Sequence, residues 1–403
     1  MRVVLTHTDL RIYWPARLHA LQRELARHGH DLRVIEIAGL GSPYAFARME
    51  TDRPLWWDCL FPERTAESVR GSEARRALWR RLDETDPAVV VAGAIAFPSG
   101  ATALAWGRRR RRGVVIMDNA RQADVPRGPL TQHVKRHLYA LVDGMLLPSP
   151  AWADDYEAWG VPRRKQFYGL NVIDDDAFAT RAEEARREAP QRREALGLPP
   201  QFFLGVGRQI RCKRWETLVD AYGRYRRAGG TWGLVLVGNG PERSTLEARV
   251  GTDAVGAVSF VDFLEPGPLT ELYGLASALV LPSEQETWGL VVNEAMASGL
   301  PVLVSRTCGC ASTLVRDGQN GWTFDAGDVD ALTERMCQIG QASEATLRSM
   351  AASSREIVRP WGLERFAVEA SAAIEQASRV GHPPVAWVDR MLLWAWRGRY
   401  RPT

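Results

Sequence analysis

The residues best suited to chemistry lie in the stretch LPSEQETWGLVVNEAMASGLPVLVS, Leu281 to Ser305. Two carboxylates, Glu286 and Glu294, stand in it with seven residues between them. A carboxylate accepts two or more hydrogen bonds, which is what a sugar or ribose diol offers. Between them, Gly289, Leu290 and Val291 open a segment with Val292, Ala295 and Met296 at helical spacing. A helix start exposes unpaired N–H groups and about half a positive charge, and that suits a phosphate. Upstream, Gly207 and Arg208 follow an apolar run, and Lys213 comes five residues after Arg208. A strand, a glycine turn, then arginine and lysine make a cationic phosphate site. Arginine grips a diphosphate bidentately and lysine acts as a point charge. Hydroxyls on carboxylates, with phosphate on amides and cations, together describe a nucleotide sugar. The plainer alternatives are an amphipathic helix with two solvated glutamates and a basic surface turn.

These groups need strands and turns to hold them. Ala278 to Leu281 end a short apolar run, and Pro282 and Ser283 break it. Gly299 sits where a helix end wants a residue tolerant of positive φ. Pro301 then opens a second apolar run, Val302 to Val304. The helix N-terminus therefore points out of the carboxyl end of a strand, where open α/β sheets bind ligands. Phe202 to Val206, Leu234 to Val237 and Val258 to Val261 read as further strands, and Trp215 to Arg227 as a helix. Gly238 opens a tight turn after the second of these strands.

The first half has the same rhythm. Arg2 to Thr6 reads as a buried strand, Arg17 to Arg27 as a helix and Asp31 to Ile37 as the next strand. This opening fits a doubly wound domain. His7 or Asp9, in the first loop, would face a ligand there or belong to a solvated turn. Residues 40 to 60 read as irregular and aromatic, with Tyr44, Phe46, Trp56 and Trp57. They shape an acceptor pocket or pack as a surface loop. A helix over 101–112 ends in five arginines, Arg108 to Arg112, where cations complement its C-terminus. Contact with a lipid surface is the second reading of that run. The tail, WVDRMLLWAWRGRY from Trp387, packs on the first domain or lies at a membrane interface.

The block from Leu281, with Gly-Leu, Glu-Ala-Met and Gly-x-Pro-Val, resembles the signature of the retaining family-four glycosyltransferases of GT-B fold. The resemblance is strong over about residues 200 to 375 and runs through the first half by pattern. It implies two facing doubly wound, Rossmann-like α/β domains with an interdomain cleft. The expected limits are 1–180 for an acceptor-binding domain and 195–375 for a nucleotide-sugar-binding domain. Residues 376–403 would form a C-terminal helix crossing back to the first domain. The resemblance implies catalytic roles for Glu286, Arg208 and Lys213, with Arg208 and Lys213 on the donor diphosphate. It places Gly207, Gly238, Phe263, Leu264, Glu294 and the Gly289–Leu290–Val291 helix start around the donor. It also implies retention of configuration and no metal requirement; the nucleotide sugar, most simply a UDP-sugar, is a substrate and not a cofactor.

The chain departs from the family pattern in three places. Thr287 and Trp288 replace a common Gly-Phe after the first glutamate, so Trp288 is expected to reshape the pocket over the donor sugar. Arg214 replaces a glycine often found after the lysine. Relatives often carry His-Asp after the strand Val114 to Met117, the histidine being assigned to the donor sugar; this chain has Asp118 and Asn119. Asp118 is taken as the substitute in the catalytic set, with Asn119 as the alternative.

Composition narrows the classes. The 403 residues suffice for two domains with separate cores. A net charge of +4 from 52 basic and 48 acidic residues gives no reason to expect nucleic acid. Five cysteines, at 59, 212, 308, 310 and 337, do not form a disulfide framework, which favours a reducing compartment. Cys308-Gly-Cys310 has no partner pair nearby and reads as a loop, not a metal site. No leader or membrane-length apolar run is visible, so the expectation is a cytoplasmic protein, with peripheral contact at the inner face of the membrane left open. The acceptor would be a sugar, a lipid-linked saccharide or an aglycone. A nucleotide-sugar epimerase of the same fold, and a non-catalytic sugar-nucleotide-binding or membrane-adaptor protein, are the alternatives to a transferase. The epimerase needs acid/base groups that the sequence does not display. The adaptor would have lost the set Arg208, Lys213 and Glu286, and this chain retains it.

Overall fold

The structure, a computed structural model, describes residues 1–40, 53–124, 128–381 and 385–398. Tyr44 and Phe46, read above as part of an acceptor pocket or surface loop, lie outside the described residues. The chain divides into two units, Met1–Val172 with Leu363–Thr403, and Ile173–Gly362.

The first unit is built on seven short strands: β1 (Arg2–His7), β2 (Asp31–Ala38), β3 (Trp57–Phe61), β4 (Val89–Ala92), β5 (Gly113–Met117), β6 (Gly144–Leu147) and β7 (Gln166–Tyr168). They lie in the order β3-β2-β1-β4-β5-β6-β7, all parallel. Every residue of β4, β5 and β6 is buried. A parallel sheet covered on both faces needs such continuous apolar runs. Strand order reverses between β1 and β4, which leaves a switch point at their carboxyl ends.

β3 falls in the stretch that the sequence reads as irregular. Its alternation is poor because it forms an edge. It is held by a buried carboxylate on its neighbour: Glu36 of β2 accepts from the Trp57 indole at 3.3 Å, from Arg53 at 2.9 Å and from the Leu10 amide at 2.9 Å. A buried charge supplied with three donors outside its own strand ties strand, edge and first loop together.

The return to the first unit begins at Leu363, earlier than the 376 expected from the sequence. The cause is the apolar face of helix Leu363–Arg379. Phe366, Ala370, Ala373, Ile374 and Ala377 share a core with Val3, Leu5, Val89 and Val115. Residues at that spacing form one stripe, and a stripe that wide is buried against a sheet.

The second unit repeats the plan with β8 (Phe202–Val206), β9 (Gly233–Val237), β10 (Val258–Val261), β11 (Ala278–Leu281), β12 (Val302–Ser305) and β13 (Gly321–Phe324). Their order is β10-β9-β8-β11-β12-β13, again parallel throughout. It starts at Ile173, ahead of the 195 expected. Helices Asp175–Arg187 and Ala189–Ala195 belong to this unit. Gly274 explains the close packing: a Cβ there would come 2.6 Å from the Ala182 carbonyl oxygen. Arg193 caps the contact by donating to the Leu275 carbonyl at 3.1 and 2.6 Å.

Candidate functional site

In the second unit the order reverses between β8 and β11, and their carboxyl ends carry the chemically marked residues. Gly207 to Lys213 follow β8. Pro282 to Gly289 follow β11. The fold itself thus brings the arginine–lysine turn and the first glutamate to one switch point.

Backbone contacts join the two turns. The amides of Glu284 and Gln285 donate to the Cys212 carbonyl, at 2.9 and 3.4 Å. Cys212 lies in the single turn Arg211–Lys213, so this stitch sets Lys213 beside the β11 loop. Lys213 Nζ forms an ion pair with Glu286 Oε2, both side chains being partly buried. The same ammonium lies 3.9 Å from where a side chain at Gly207 would begin, and Gly207 has φ +152. Gly238, at φ +130, brings the β9 turn so close that a Cβ would be 2.2 Å from the Gly207 carbonyl oxygen. Phe263 and Leu264 follow β10, both half-buried.

Arg214 occupies the left-handed region at φ +53, which glycine adopts without strain. Its guanidinium compensates by reaching Glu284 at 2.8 Å and Glu216 at 3.3 Å. The substitution therefore adds an ionic link across the two turns. The β11 loop is fastened from its other side as well. The Gly309 amide donates to Glu286 O at 2.9 Å, and the Cys310 amide to Trp288 O at 3.0 Å. Ser305 and Thr307 hydroxyls donate to the Ser283 carbonyl. Cys308-Gly-Cys310 thus serves as a backbone clamp for Glu286. Burial pushes the Cys308 thiol up to about 12 and the Cys310 thiol well above its ordinary value, so both stay protonated and unreactive. Nothing in the sequence marks this clamp beyond its two small residues and their distance from Glu286.

Helix Leu290–Ala297 starts at Gly289, with φ +98. A Cβ there would lie 3.1 Å from Leu281 Cδ2 and 3.3 Å from Glu286 Cγ. Leu290 and Val291 are half-buried at the helix start, while Val292 to Ala297 are buried. One turn in, Glu294 is 2% exposed and accepts from the Tyr273 hydroxyl at 2.7 Å. Tyr273 comes from helix Pro266–Leu275, and no local spacing points to this partner. It fixes one carboxylate oxygen and so orients the other.

Two of the expected site residues are engaged with protein groups. Trp288 is buried. It is 2% exposed, donates its indole N–H to Asn293 Oδ1 at 2.8 Å and packs its ring 6.2 Å from that of Trp361. The larger ring is accommodated inward because Asn293, buried on the helix, offers the acceptor its N–H requires. Asp118, in the first unit, is also committed to protein. Its Oδ2 accepts from the Tyr139 hydroxyl, and its Oδ1 from the Ala120 amide at 3.0 Å. With both oxygens so engaged and 6% exposure, it ties the turn after β5 to Tyr139. The neighbouring Tyr156 phenol is pushed well above its usual value by burial and by this carboxylate.

At the first unit's switch point, burial lowers the pKa of His7 and favours the neutral ring. Its ring lies 5.2 Å from Trp14, and its Nδ1 is 3.1 Å from the Asp9 carbonyl. Asp9 pairs with Arg11 at 2.6 Å. Both residues are built into the loop, so the ordered first turn is the better description than a solvated one.

Comparison with known proteins follows the same division. Residues 200–341 match the family described as glycosyl transferases group 1, and residues 16–176 match glycosyltransferase family 4. The sulfoquinovosyl transferase SQD2 of Arabidopsis thaliana is 32% identical over 200 residues, covering 48% of this chain and 37% of that protein. The alpha-D-kanosaminyltransferase of Streptomyces kanamyceticus is 26% identical over 194 residues, covering 48% and 50%. The matches thus take in half or less of the length of these curated relatives. Among solved structures, the sucrose-phosphate synthase of Thermosynechococcus elongatus superposes with TM-score 0.71 at 21% identity, covering 93% of this chain and 98% of that one. Anabaena HepE in complex with UDP and glucose gives TM-score 0.69 at 16% identity, covering 93% and 99%. At these identities the structural likeness speaks for the fold.

Proposed function

The chain belongs to the group 1, family-four glycosyltransferases of GT-B fold, and from that premise we propose that it moves a hexose from a nucleotide-sugar donor, a UDP-sugar in the simplest case, to an acceptor hydroxyl with retention of configuration. The acceptor belongs to cell-envelope polysaccharide or glycolipid, or to a natural-product glycoside. The observation that carries this reading is the Lys213–Glu286 pair at the β8/β11 switch point, with the helix start at Leu290 beside it.

The proposed chemistry follows from charge. The bond between the sugar's anomeric carbon and the diphosphate breaks, and a bond to the acceptor oxygen forms. The acceptor's proton passes to the departing phosphate oxygen. The sugar becomes oxocarbenium-like while negative charge grows on the diphosphate. Lys213, Arg208 and the amides at Leu290 and Val291 are in place beforehand to meet that charge, so no metal ion is required by this scheme. Glu286 exchanges its ammonium partner for sugar hydroxyls, and Glu294, oriented by Tyr273, takes the ribose diol. Gly207, Gly238, Phe263 and Leu264 shape the donor's nucleotide side. UDP in the HepE complex supports the choice of base.

Thermal stabilisation by UDP, GDP, ADP and dTDP tests the donor half. A ligand that binds the folded state raises its apparent stability by mass action. UDP is expected to raise Tm in the parent and not in Arg208→Ala. Absence of a shift with all four nucleotides would withdraw the transferase reading.

A further inference from the structure

Helix Trp387–Ala395, in the first unit, presents an apolar stripe to solvent. Trp387, Met391 and Trp394 are 67%, 60% and 69% exposed, and Val388 lies beside them. Positions i, i+4 and i+7 share one face, and surface helices ordinarily turn such a face inward. Here the opposite face is already fastened. Leu393 is buried, Arg75 donates to the carbonyls of Leu393 and Trp396 at 3.2 and 3.1 Å, and the Trp396 indole donates to Ile95 O at 2.7 Å. The helix is anchored with its aromatic side outward.

Cations border that side. A depression of about 520 Å³ is lined by Arg75, Arg109, Arg111, Arg390 and Trp394. In the arginine run that ends helix Pro98–Arg110 and continues to Arg112, alternate members are paired: Arg108 with Asp143, Arg110 with Asp83 and Arg112 with Asp86. Arg109 and Arg111, between them, have no acidic partner among the described residues, and neither has Arg390. The pairs hold the run in place, and Arg109 and Arg111 line the depression together with the paired Arg108.

We propose that this face docks on an anionic lipid bilayer. Trp387, Met391 and Trp394 enter the boundary between headgroups and acyl chains, and Arg109, Arg111 and Arg390 meet lipid phosphates. Indole rings favour that depth, and arginine binds phosphate bidentately. Two other occupants fit less well. A second copy meeting this patch across a two-fold axis would set arginines against arginines. A nucleic acid would use the cations but leave Val388 and Met391 without a partner. The proposal rests on the first unit alone and is read by binding, so it stands or falls separately from the donor reading.

The test uses the full chain and flotation with phosphatidylglycerol–phosphatidylcholine vesicles, against phosphatidylcholine alone. The parent is expected to float with the anionic vesicles, less so as salt is raised. Trp387→Ser with Trp394→Ser should weaken binding roughly tenfold. Arg109→Gln, Arg111→Gln and Arg390→Gln should weaken it about fivefold each. All are exposed positions, and an unchanged Tm would show that the variants fold. Equal partition to neutral and anionic vesicles, or variants that float like the parent, would overturn the proposal. So would a concentration-dependent dimer, or single-stranded DNA binding in place of vesicle binding, abolished by the tryptophan changes.

Discussion

Lys213 and Glu286 divide two kinds of work between them. In the structure their charges satisfy each other in a partly buried place. Such a pair contributes on the order of 1 kcal/mol or less to stability. In the proposed reaction its value is larger, because a fixed cation beside a developing anion typically contributes a factor of about 10²–10³ in rate. Lys213→Ala is therefore expected to lower kcat by about that factor while leaving Tm nearly unchanged. Steady-state kinetics beside a melting curve separates the two; an unchanged rate would remove Lys213 from the diphosphate. Glu294 behaves differently because it is buried. Tyr273→Phe deletes one hydroxyl and leaves a buried carboxylate short of a donor, which costs about 1–3 kcal/mol. If Glu294 takes the ribose diol as proposed, the change should also weaken UDP binding, since the second carboxylate oxygen loses its orientation. Calorimetric titration with UDP would show it, and an affinity equal to the parent's would sink that role for Glu294. These roles differ in how well the sequence displayed them. Lys213 and Glu286 stand in a recognisable block. Tyr273 meets Glu294 only through the packing of two helices, 21 residues apart in the chain, and no local spacing announces such a contact.

Elements were legible where periodicity and turn residues agree. Strands β8, β9, β11 and β12 are short apolar runs bounded by Gly or Pro, and their reversal point follows from a doubly wound order. β3 was not legible, because its identity depends on Glu36 of a neighbouring strand accepting from Trp57. The limits of the units were missed for a related reason: helix Leu363–Arg379 declares an apolar face but not the sheet that will cover it. The burial of Trp288 was not legible either, because it depends on the buried Asn293 acceptor for its indole N–H. The β11 loop as an element offers its own test. Gly289 holds positive φ and would set a Cβ tightly, 3.1 Å from Leu281 Cδ2 and 3.3 Å from Glu286 Cγ. Gly289→Ala should cost about 1–2 kcal/mol from the backbone alone. It should also displace Glu286 and the amides of Leu290 and Val291, and so reduce UDP affinity more than it reduces Tm. An intact UDP shift in this variant would mean that the helix start does not bear on the phosphate.

At the scale of the whole molecule, the chain passes between its units twice, at Val172–Ile173 and at Gly362–Leu363. Both passages are held. Arg17, buried and desolvated so that its pKa falls to about 10, donates to the Val172 carbonyl at 3.0 and 2.5 Å. Ile173 and Gly362 bridge to each other as a parallel pair. Each unit keeps its own sheet, and the first also keeps a core that depends on helix Leu363–Arg379 from the chain's far end. Two cores joined by two strands of chain should melt in two steps. Scanning calorimetry is then expected to resolve two transitions, with UDP raising only the one that belongs to Ile173–Gly362. Phe366→Ala opens a cavity in the first unit's core and should lower the other transition by about 3–5 kcal/mol. Because Phe366 lies outside Ile173–Gly362, where the proposal puts the donor, the UDP-responsive transition should keep its response in that variant. One transition, moved as a whole both by UDP and by Phe366→Ala, would show that the units share their stability and that the far-end helix governs the donor site as well as its own sheet.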